Sequence, residues 1–378
     1  MKKYIFKSLL AVAMTICLTG CDPDNYKPEK EKPEEKQEPL PERVEGRRVI
    51  AYCTYYGYAI PDGNVVTNIN YAFAELYVRN GQYLGFALQG KEDRFKQIIS
   101  VKESFPHVKI CLSFSHTVVN SDNSQGGGFS AMASTEEGRK AFAEDCLEFL
   151  QKWNIDGIDI DWEFPGISWS GHACDPSVDT KNFTLLMKQL RETLGDDYLL
   201  TYAGYCMDKQ SASGGWKYID VAAVDPYVDY VNLMTYDLDA APHHQSAIKS
   251  SAAYWDCERA VNAYLKAGVA PSKLILGIPF YARHSFSASP TSIAYYKIKT
   301  MDPAKYKTDN WDESAGVPYI TEVSTGKFYA GYDNPKSIER KADWVLRLGM
   351  TGLMYWSYDE DDSAGTLRNA VWRSVMGH

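Results

Sequence analysis

Short apolar runs rich in β-branched and aromatic residues alternate along this chain with longer segments in which apolar residues recur at helical spacing. The first pattern is typical of buried strands and the second of amphipathic helices. The helical segments include Glu136–Trp153, Thr180–Leu194, Ala253–Ala267 and Ser337–Leu348. From the apolar runs we predict eight strands, namely Val49–Thr54, Val66–Phe73, Val108–Ser113, Ile155–Trp162, Tyr198–Ala203, Tyr230–Tyr236, Leu274–Pro279 and Gly352–Ser357.

Strands that alternate with helices in this way predict an α/β fold. Eight such alternations favour a (β/α)8 TIM barrel, although a doubly wound sheet would alternate in the same manner. The widest gap between predicted strands runs from His284 to Glu339, before the last predicted helix. Enzymes with this barrel build their active sites at the carboxyl ends of the strands, so we expect any catalytic residues there.

The first 46 residues do not share this pattern. Three lysines precede an apolar run, Ser8–Cys17, that is too short to cross a membrane as a stable helix. Residues 22–46 are mostly Pro, Glu and Lys, and such a segment cannot bury enough apolar surface to fold. We therefore predict three regions: a signal peptide (1–20), a flexible charged tether (21–46) and one folded domain (47–378).

Composition excludes several classes of function. The net charge is −9 and no basic patch offsets it, so we expect no nucleic-acid partner. The pair His243-His244 has no third ligand at metal spacing, and we expect no metal site. A chain of this length does not need disulfides to hold its core, so we favour buried free thiols and leave the pairing open. The cysteines concerned are Cys53, Cys111, Cys146, Cys174, Cys206 and Cys257.

The fourth predicted strand carries the clearest chemistry. Asp159, Asp161 and Glu163 follow one another at a spacing of two and alternate with Ile and Trp residues. In a strand, these three acids share one face and the apolar residues share the other. Carboxylates that are close in a partly dry site cannot all ionise, so one of them should hold a proton and could act as a general acid. Asp156 has the opposite parity and is expected in the turn before the strand. The alternative for the strand as a whole is an edge strand whose acidic face is solvated.

The segment Asp156–Pro165 resembles the DxxDxDxE signature of glycoside hydrolase family 18, the chitinase-like hydrolases. The resemblance extends from about Arg48 to the C-terminus, and it implies the TIM barrel with a short α+β insertion at about 284–335 between strands 7 and 8. Four further blocks resemble that family in the same order, namely Asn70–Ala74, Met234–Asp237, Gly277–Arg283 and Met354–Ser357.

The resemblance implies a mechanism without a cofactor. Glu163 would protonate the leaving oxygen and then activate water. Asp161 would bond the N–H of the substrate's own 2-acetamido group, whose carbonyl attacks the anomeric carbon, with Asp159 behind it sharing a proton. Tyr236 would hold the acetamide oxygen.

Substrate-binding residues are implied in the same way. Trp356 would form the floor beneath the reacting sugar, with Tyr52 and Phe73 as walls. The further contacts would be Met234, Asp237, Tyr281 and Arg283, although Arg283 could instead serve as a structural ion-pair partner.

The expected activity is retaining hydrolysis of β-1,4-linked N-acetylglucosamine glycans, either chitin or chitooligosaccharides. One alternative is an endo-β-N-acetylglucosaminidase acting on N-glycan chitobiose cores or peptidoglycan, and a lesser one is a non-catalytic glycan-binding lipoprotein. The loop Ser113–Thr117 departs from the family's usual sequence on the leaving-group side. That departure puts simple long-chain chitin specificity in question.

Leu18-Thr19-Gly20-Cys21 resembles the lipobox of bacterial lipoproteins, in which the cysteine becomes a lipidated first residue. A plain secretory signal is the alternative. We therefore expect a monomer held in the bacterial cell envelope, at the outer membrane or cell surface. A lipid on Cys21 would be its sole membrane contact.

Overall fold

The computed structural model describes residues 39–115, 128–167, 174–206, 218–250, 252 and 255–378. The expected signal peptide, Cys21 and most of the expected tether lie outside these residues. So do the last two positions of the Ser113–Thr117 loop. In the described part of the chain, no helix is both long enough and apolar enough to cross a membrane.

Eight parallel strands close into a barrel, as the alternating pattern predicted. Neighbours along the chain pair with one another, and the last strand pairs with the first, so that Ile50 lies between Asn68 and Met354. No doubly wound sheet forms among the described residues. The strands are β1 (Arg48–Thr54), β2 (Asn68–Arg79), β3 (Lys109–Ser115), β4 (Gly157–Asp161), β5 (Leu199–Gly204), β6 (Tyr230–Leu233), β7 (Leu274–Pro279) and β8 (Gly352–Trp356).

Helices cover the outside of the barrel. The helix Glu136–Trp153 begins at Thr135, whose side chain accepts a hydrogen bond from Gly138 N, and ends at Asn154, which has a left-handed conformation. A strand at Gln82–Leu88 extends β2 as an antiparallel hairpin. The α-helices are Glu92–Ile99, Val101–Ser104, Gly128–Ser134, Glu136–Trp153, Asp179–Leu194, Val221–Val224, Cys257–Lys266, Tyr295–Ile298, Pro335–Arg347 and Thr366–Met376.

The expected insertion between β7 and β8 is a separate antiparallel sheet. Its five strands, in chain order, are Tyr281–Arg283, Ser292–Ala294, Tyr306–Asp312, Val317–Glu322 and Phe328–Gly331. A fully buried ion pair follows the last of them, in which Lys341 Nζ lies 2.8 Å from a carboxylate oxygen of Asp333. Ser246 and Ser337 also donate to Asp333, so this carboxylate joins the insertion to the helix Pro335–Arg347.

The folded unit begins at Leu40, before the expected start at 47. The backbone oxygen of Pro41 accepts a hydrogen bond from Trp372 Nε1, and Val44 packs on the core beside Met376. Arg47, immediately before β1, donates to the backbone oxygen of Val375. Residues 40–46 therefore belong to the fold rather than to a tether, because their few apolar groups find partners on the C-terminal helix.

The cysteines agree with the expectation of free thiols. All six in the described residues are free, and five of them are buried, while Cys174 is half-buried. Asp156 lies in the turn before β4, as its parity predicted, and accepts hydrogen bonds from Ile110 N, Lys102 and Lys109.

Candidate active site

A pocket of about 380 Å³ opens where the barrel strands end. This volume falls in the range that small-molecule sites usually occupy. Apart from Asp159, every residue predicted for catalysis or substrate binding lines the pocket: Tyr52, Phe73, Asp161, Glu163, Met234, Tyr236, Asp237, Tyr281, Arg283 and Trp356. The structure thus brings these residues together at one pocket, and their roles stay predictions.

The acidic strand has the predicted alternation of faces. Ile158 and Ile160 are buried in the large core between barrel and helices, and Trp162 stacks on Phe129 there. The acids face the other way, into the barrel. β4 ends at Asp161, so Glu163 lies just beyond the strand, at the pocket. The solvated edge strand is excluded, because β4 is paired on both sides and buried along its whole length.

Asp159 lies deepest and has no exposed surface. Its Oδ2 accepts hydrogen bonds from Tyr52 Oη at 2.8 Å and Ser113 Oγ at 2.7 Å. Its Oδ1 accepts from Thr201 Oγ1 at 2.6 Å and Asn232 Nδ2 at 3.2 Å. Burial raises the pKa of Asp159, while these donors oppose the rise. A carboxyl that accepts four hydrogen bonds is best satisfied when it is ionised.

Asp161 has the opposite environment. It is buried, and its Oδ1 has no hydrogen-bond partner among the described residues. Burial first, then the charges of Glu163 and Asp159, raise the pKa of Asp161 well above its usual range. An unpaired carboxylate beside two others is costly in a dry site, so burial and the neighbouring charges favour the protonated form of Asp161 more than that of Asp159.

Glu163 has an acidity suited to proton transfer near neutral pH. Burial, and then the charge of Asp237, raise the pKa of Glu163 from 4.5 to about 7. A group with a pKa near the working pH can both give and take a proton, which a general acid that later acts as a base must do.

Aromatic side chains surround these acids. Trp356 stacks on Phe73 with ring centroids 5.6 Å apart and lies 5.7 Å from Tyr52 at a tilt. Tyr236 meets Tyr281 edge to face at 6.3 Å. Burial and the charges of Asp161, Glu163 and Asp237 raise the pKa of Tyr236 well above its usual range, so its hydroxyl keeps its proton and can donate a hydrogen bond. Together the rings offer flat apolar surfaces of the kind on which the C–H faces of sugars pack.

An ion pair closes one side of the pocket. Arg283 donates from Nε to Asp237 Oδ1 at 2.7 Å and from a second nitrogen to Oδ2, a bidentate arrangement. A third nitrogen donates to the backbone oxygen of Thr291. Asp237 has a φ of 53°, a left-handed conformation that Asp adopts more readily than most residues. Arg283 is therefore an ion-pair partner that also lines the pocket, and its contact with substrate stays a prediction.

Several residues of the site were not predicted. Ser113, Thr201 and Asn232 bind Asp159 from three other strands. Each is a polar residue inside an otherwise apolar predicted strand. Because a buried polar side chain needs a partner, this pattern could have indicated them. Glu360 also lines the pocket, and nothing in its local sequence marks it. His244, which follows β6, contacts Asp312 of the insertion at 3.1 Å, so it is a paired side chain.

Comparisons with known proteins agree with this geometry. The family model for glycosyl hydrolases family 18 matches residues 48–361. Chitinase A1 of Niallia circulans is 28% identical over 318 residues, which cover 73% of this chain and 44% of that protein. Chitotriosidase-1 of Mus musculus is 27% identical, covering 82% of this chain and 70% of that protein. The chain thus spans less than half the length of the first relative.

Among solved structures, a family 18 N-acetylglucosaminidase from Paenibacillus barengoltzii superimposes with a TM-score of 0.71 at 27% identity. The match covers 87% of this chain and 99% of that one. Chitinase ChiA74 from Bacillus thuringiensis superimposes with a TM-score of 0.72 at 23% identity, over 88% of this chain and 70% of that one, and supports the shared fold.

Proposed function

Because the chain belongs to glycosyl hydrolases family 18, we propose that it cleaves β-1,4-linked N-acetylglucosamine glycans, chitin or chitooligosaccharides, with retention of configuration. The observation that carries the proposal is the set of three acids at the pocket, Asp159, Asp161 and Glu163. Asp159 accepts four hydrogen bonds, burial and two neighbouring charges raise the pKa of Asp161 well above its usual range, and Glu163 has a pKa of about 7. These three acids supply one transferable proton and one buried negative charge beneath a sugar-sized pocket.

The proposed first step uses the substrate as its own nucleophile. Glu163 donates its proton to the glycosidic oxygen as the bond from that oxygen to the anomeric carbon breaks. The carbonyl oxygen of the 2-acetamido group bonds to the anomeric carbon on the opposite face, giving an oxazolinium ion. Asp161, whose Oδ1 has no partner in the described part of the chain, accepts a hydrogen bond from the acetamide N–H, and Tyr236 donates to the acetamide oxygen.

In the second step the ionised Glu163 takes a proton from water. The resulting hydroxide attacks the anomeric carbon and breaks its bond to the acetamide oxygen, so the configuration is retained and Glu163 is protonated again. As the cation forms, the shared proton moves from Asp161 toward Asp159, leaving negative charge beside the positive ring. The four hydrogen-bond donors around Asp159 hold that carboxyl in place while this charge moves.

Glu163→Gln tests the acid–base role. The amide keeps the shape of the side chain but has no transferable proton, so substrate binding should persist while kcat on chitohexaose falls by about 10²–10⁴-fold. Asp161→Asn should also be severe, because a neutral amide cannot stabilise the cation. Near-wild-type turnover by Glu163→Gln on a natural glycan would refute the assignment.

The nucleophile is tested through the substrate. An N-acetylglucosamine thiazoline should inhibit competitively, because it mimics the bicyclic intermediate. A free amine on the cleaved sugar should abolish cleavage at that sugar, because a protonated amine cannot attack. A 2-fluoro sugar trapped on any Asp or Glu would show a two-carboxylate mechanism instead.

Substrate class is tested in one panel. The full chain is incubated with chitohexaose, a high-mannose glycoprotein and peptidoglycan, and the products are read by mass spectrometry. Cleavage of chitohexaose is the expected result. Cleavage of the glycoprotein or peptidoglycan alone would move the substrate to an N-glycan core or to the cell wall, and binding without cleavage would indicate a glycan-binding protein.

We also propose that Cys21 carries a lipid that anchors the protein in the bacterial envelope. The support is the sequence Leu18-Thr19-Gly20-Cys21 after a short apolar run. The full-length protein should fractionate with membranes, and Cys21→Ala should release it. Membrane retention of that variant would indicate a different attachment.

A further inference from the structure

Besides Asp161, Glu163 and Asp237, the carboxyl group of Glu360 lines the pocket. It follows β8 by four positions. Its Oε2 accepts hydrogen bonds from Ser357 N at 3.1 Å and Ser357 Oγ at 3.3 Å. Since Ser357 directly follows Trp356, these bonds fix the carboxyl beside the floor on which the reacting sugar is expected to lie.

Glu360 is held differently from the other pocket acid, Asp237. Asp237 forms the bidentate pair with Arg283, whose remaining nitrogen donates to a backbone oxygen. Both of the hydrogen bonds from Ser357 go to one oxygen of Glu360, and neither donor is a cation. Burial raises the pKa of Glu360 to about 7; the Ser357 donors and the charge of Arg283 oppose this rise, and the charge of Asp237 adds to it. Its second oxygen is thus available to a ligand.

The position of Glu360 fixes which part of a bound chain it would meet. Glu163 must face the leaving oxygen, and it follows β4, which is four strands around the barrel from β8. Glu360 lies on the opposite side, next to the loop after β1. There, the backbone nitrogens of Tyr58 and Ala59 donate to the side chain of Asp359, the residue before Glu360, at 3.0 and 2.8 Å. A chain that runs away from the leaving group therefore passes Glu360.

We propose that Glu360 binds the sugar on the non-reducing side of the reacting one and selects chains that carry a free amine there. A carboxylate accepts a charge-assisted hydrogen bond from an ammonium group, whereas the acetamide of N-acetylglucosamine is neutral. The preferred substrate is then a partly deacetylated chain, with an acetylated sugar on Trp356 and a glucosamine beside it. This inference rests on the proposed function and adds a preference to the same site.

The test reads the products of the full-length protein acting on partly acetylated chitosan. Products are sequenced by mass spectrometry, and the sugar next to each new reducing end is scored as acetylated or free amine. Wild type should enrich glucosamine at that position. Glu360→Gln should lose the enrichment, because the amide still accepts the Ser357 hydrogen bonds but has no charge. The loss of a charge-assisted hydrogen bond should raise KM about tenfold for amine-bearing chains.

A control and a matched substrate separate this role from a structural one. On fully acetylated chitohexaose, where no ammonium group is present, Glu360→Gln should raise KM by much less than it does on amine-bearing chains. Glu144→Gln, which neutralises an exposed acid on the helix Glu136–Trp153, should behave as wild type on both substrates.

Three outcomes would overturn the inference: no glucosamine enrichment by wild type, an enrichment that survives in Glu360→Gln, or an equal loss of activity by the variant on both substrates. The first of these needs no variant. Failure of wild type to cleave either substrate would instead overturn the proposed function itself.

Discussion

Asp237→Asn should move the alkaline limb of the pH–rate profile to lower pH. The pKa of Glu163 is raised first by burial and then by the charge of Asp237. The amide leaves the burial unchanged and removes the charge. It also leaves Arg283 without its bidentate partner, so a positive charge is added to the same neighbourhood. Both effects favour ionised Glu163 and lower its pKa, by on the order of one unit for a nearby charge.

The size of the effect follows from the fraction of Glu163 that is protonated. With a pKa of about 7, half of the wild-type enzyme carries the acid proton at pH 7. With a pKa lower by about one unit, roughly a tenth would carry it, and kcat/KM at pH 7 should fall about fivefold. Below about pH 5 the proton is present in both proteins, so any remaining difference there measures the loss of substrate contacts instead.

The assay is kcat/KM for chitohexaose across the pH range, because this parameter reports the ionisation of the free enzyme. A sugar leaving group is required, since an activated aryl group needs little help from an acid. Asp239→Asn is the matched control, an acid two residues further along that is half-buried and does not line the pocket. An unmoved midpoint in Asp237→Asn, or one that rises, would refute the argument.

Three predictions concern stability. Lys341→Met leaves Asp333 buried without its cation and should lower the free energy of unfolding by about 3–5 kcal/mol, whereas Lys336→Met, in an exposed pair, should cost less than about 1 kcal/mol in the same urea titration. Deletion of residues 40–46 should cost on the order of 1–2 kcal/mol through lost contacts to the last helix, with unchanged kcat; unaltered stability would mean that these contacts contribute nothing. Glu163 has a higher pKa in the folded state than its usual 4.5, so stability should decline as pH rises from about 4.5 to about 7. Urea titrations of Glu163→Gln should show a shallower decline, because Asp161 and Glu360 still contribute to it.

Local periodicity located the strands, the helices and the acidic strand, whereas the choice of a barrel over a doubly wound sheet rested on the resemblance to family 18. A strand buried on both faces is continuously apolar, so the polar parity of Asp159, Asp161 and Glu163 stands out and places all three toward the barrel interior. The predicted ends were less accurate. The sixth strand was expected to reach Tyr236 but ends at Leu233, because the chain turns toward the pocket there.

The rest of the site depends on contacts that are distant in sequence. Glu360 reaches the pocket only because Ser357 and the short helical turn after β8 hold it there, next to residues of the insertion. Residues 40–46 have a tether-like composition, and their packing is decided by a helix more than 300 positions away. Neither the position of Glu360 nor the packing of residues 40–46 produces a periodic pattern of apolar residues, so neither could be predicted from the sequence alone.

The two ends of the folded unit meet on one face, where Val44 lies against Met376 and Arg47 donates to Val375. β1 begins on that face and the pocket opens where the strands finish, so the two lie at opposite ends of the barrel. A short linker could therefore join the ends, with new termini cut into an exposed turn such as Ser324–Thr325, and give a circular permutant with an intact pocket. For the same reason, a bead or a fused protein attached at either end of the folded unit would leave the opening unobstructed, which suits the enzyme to immobilisation on a solid support.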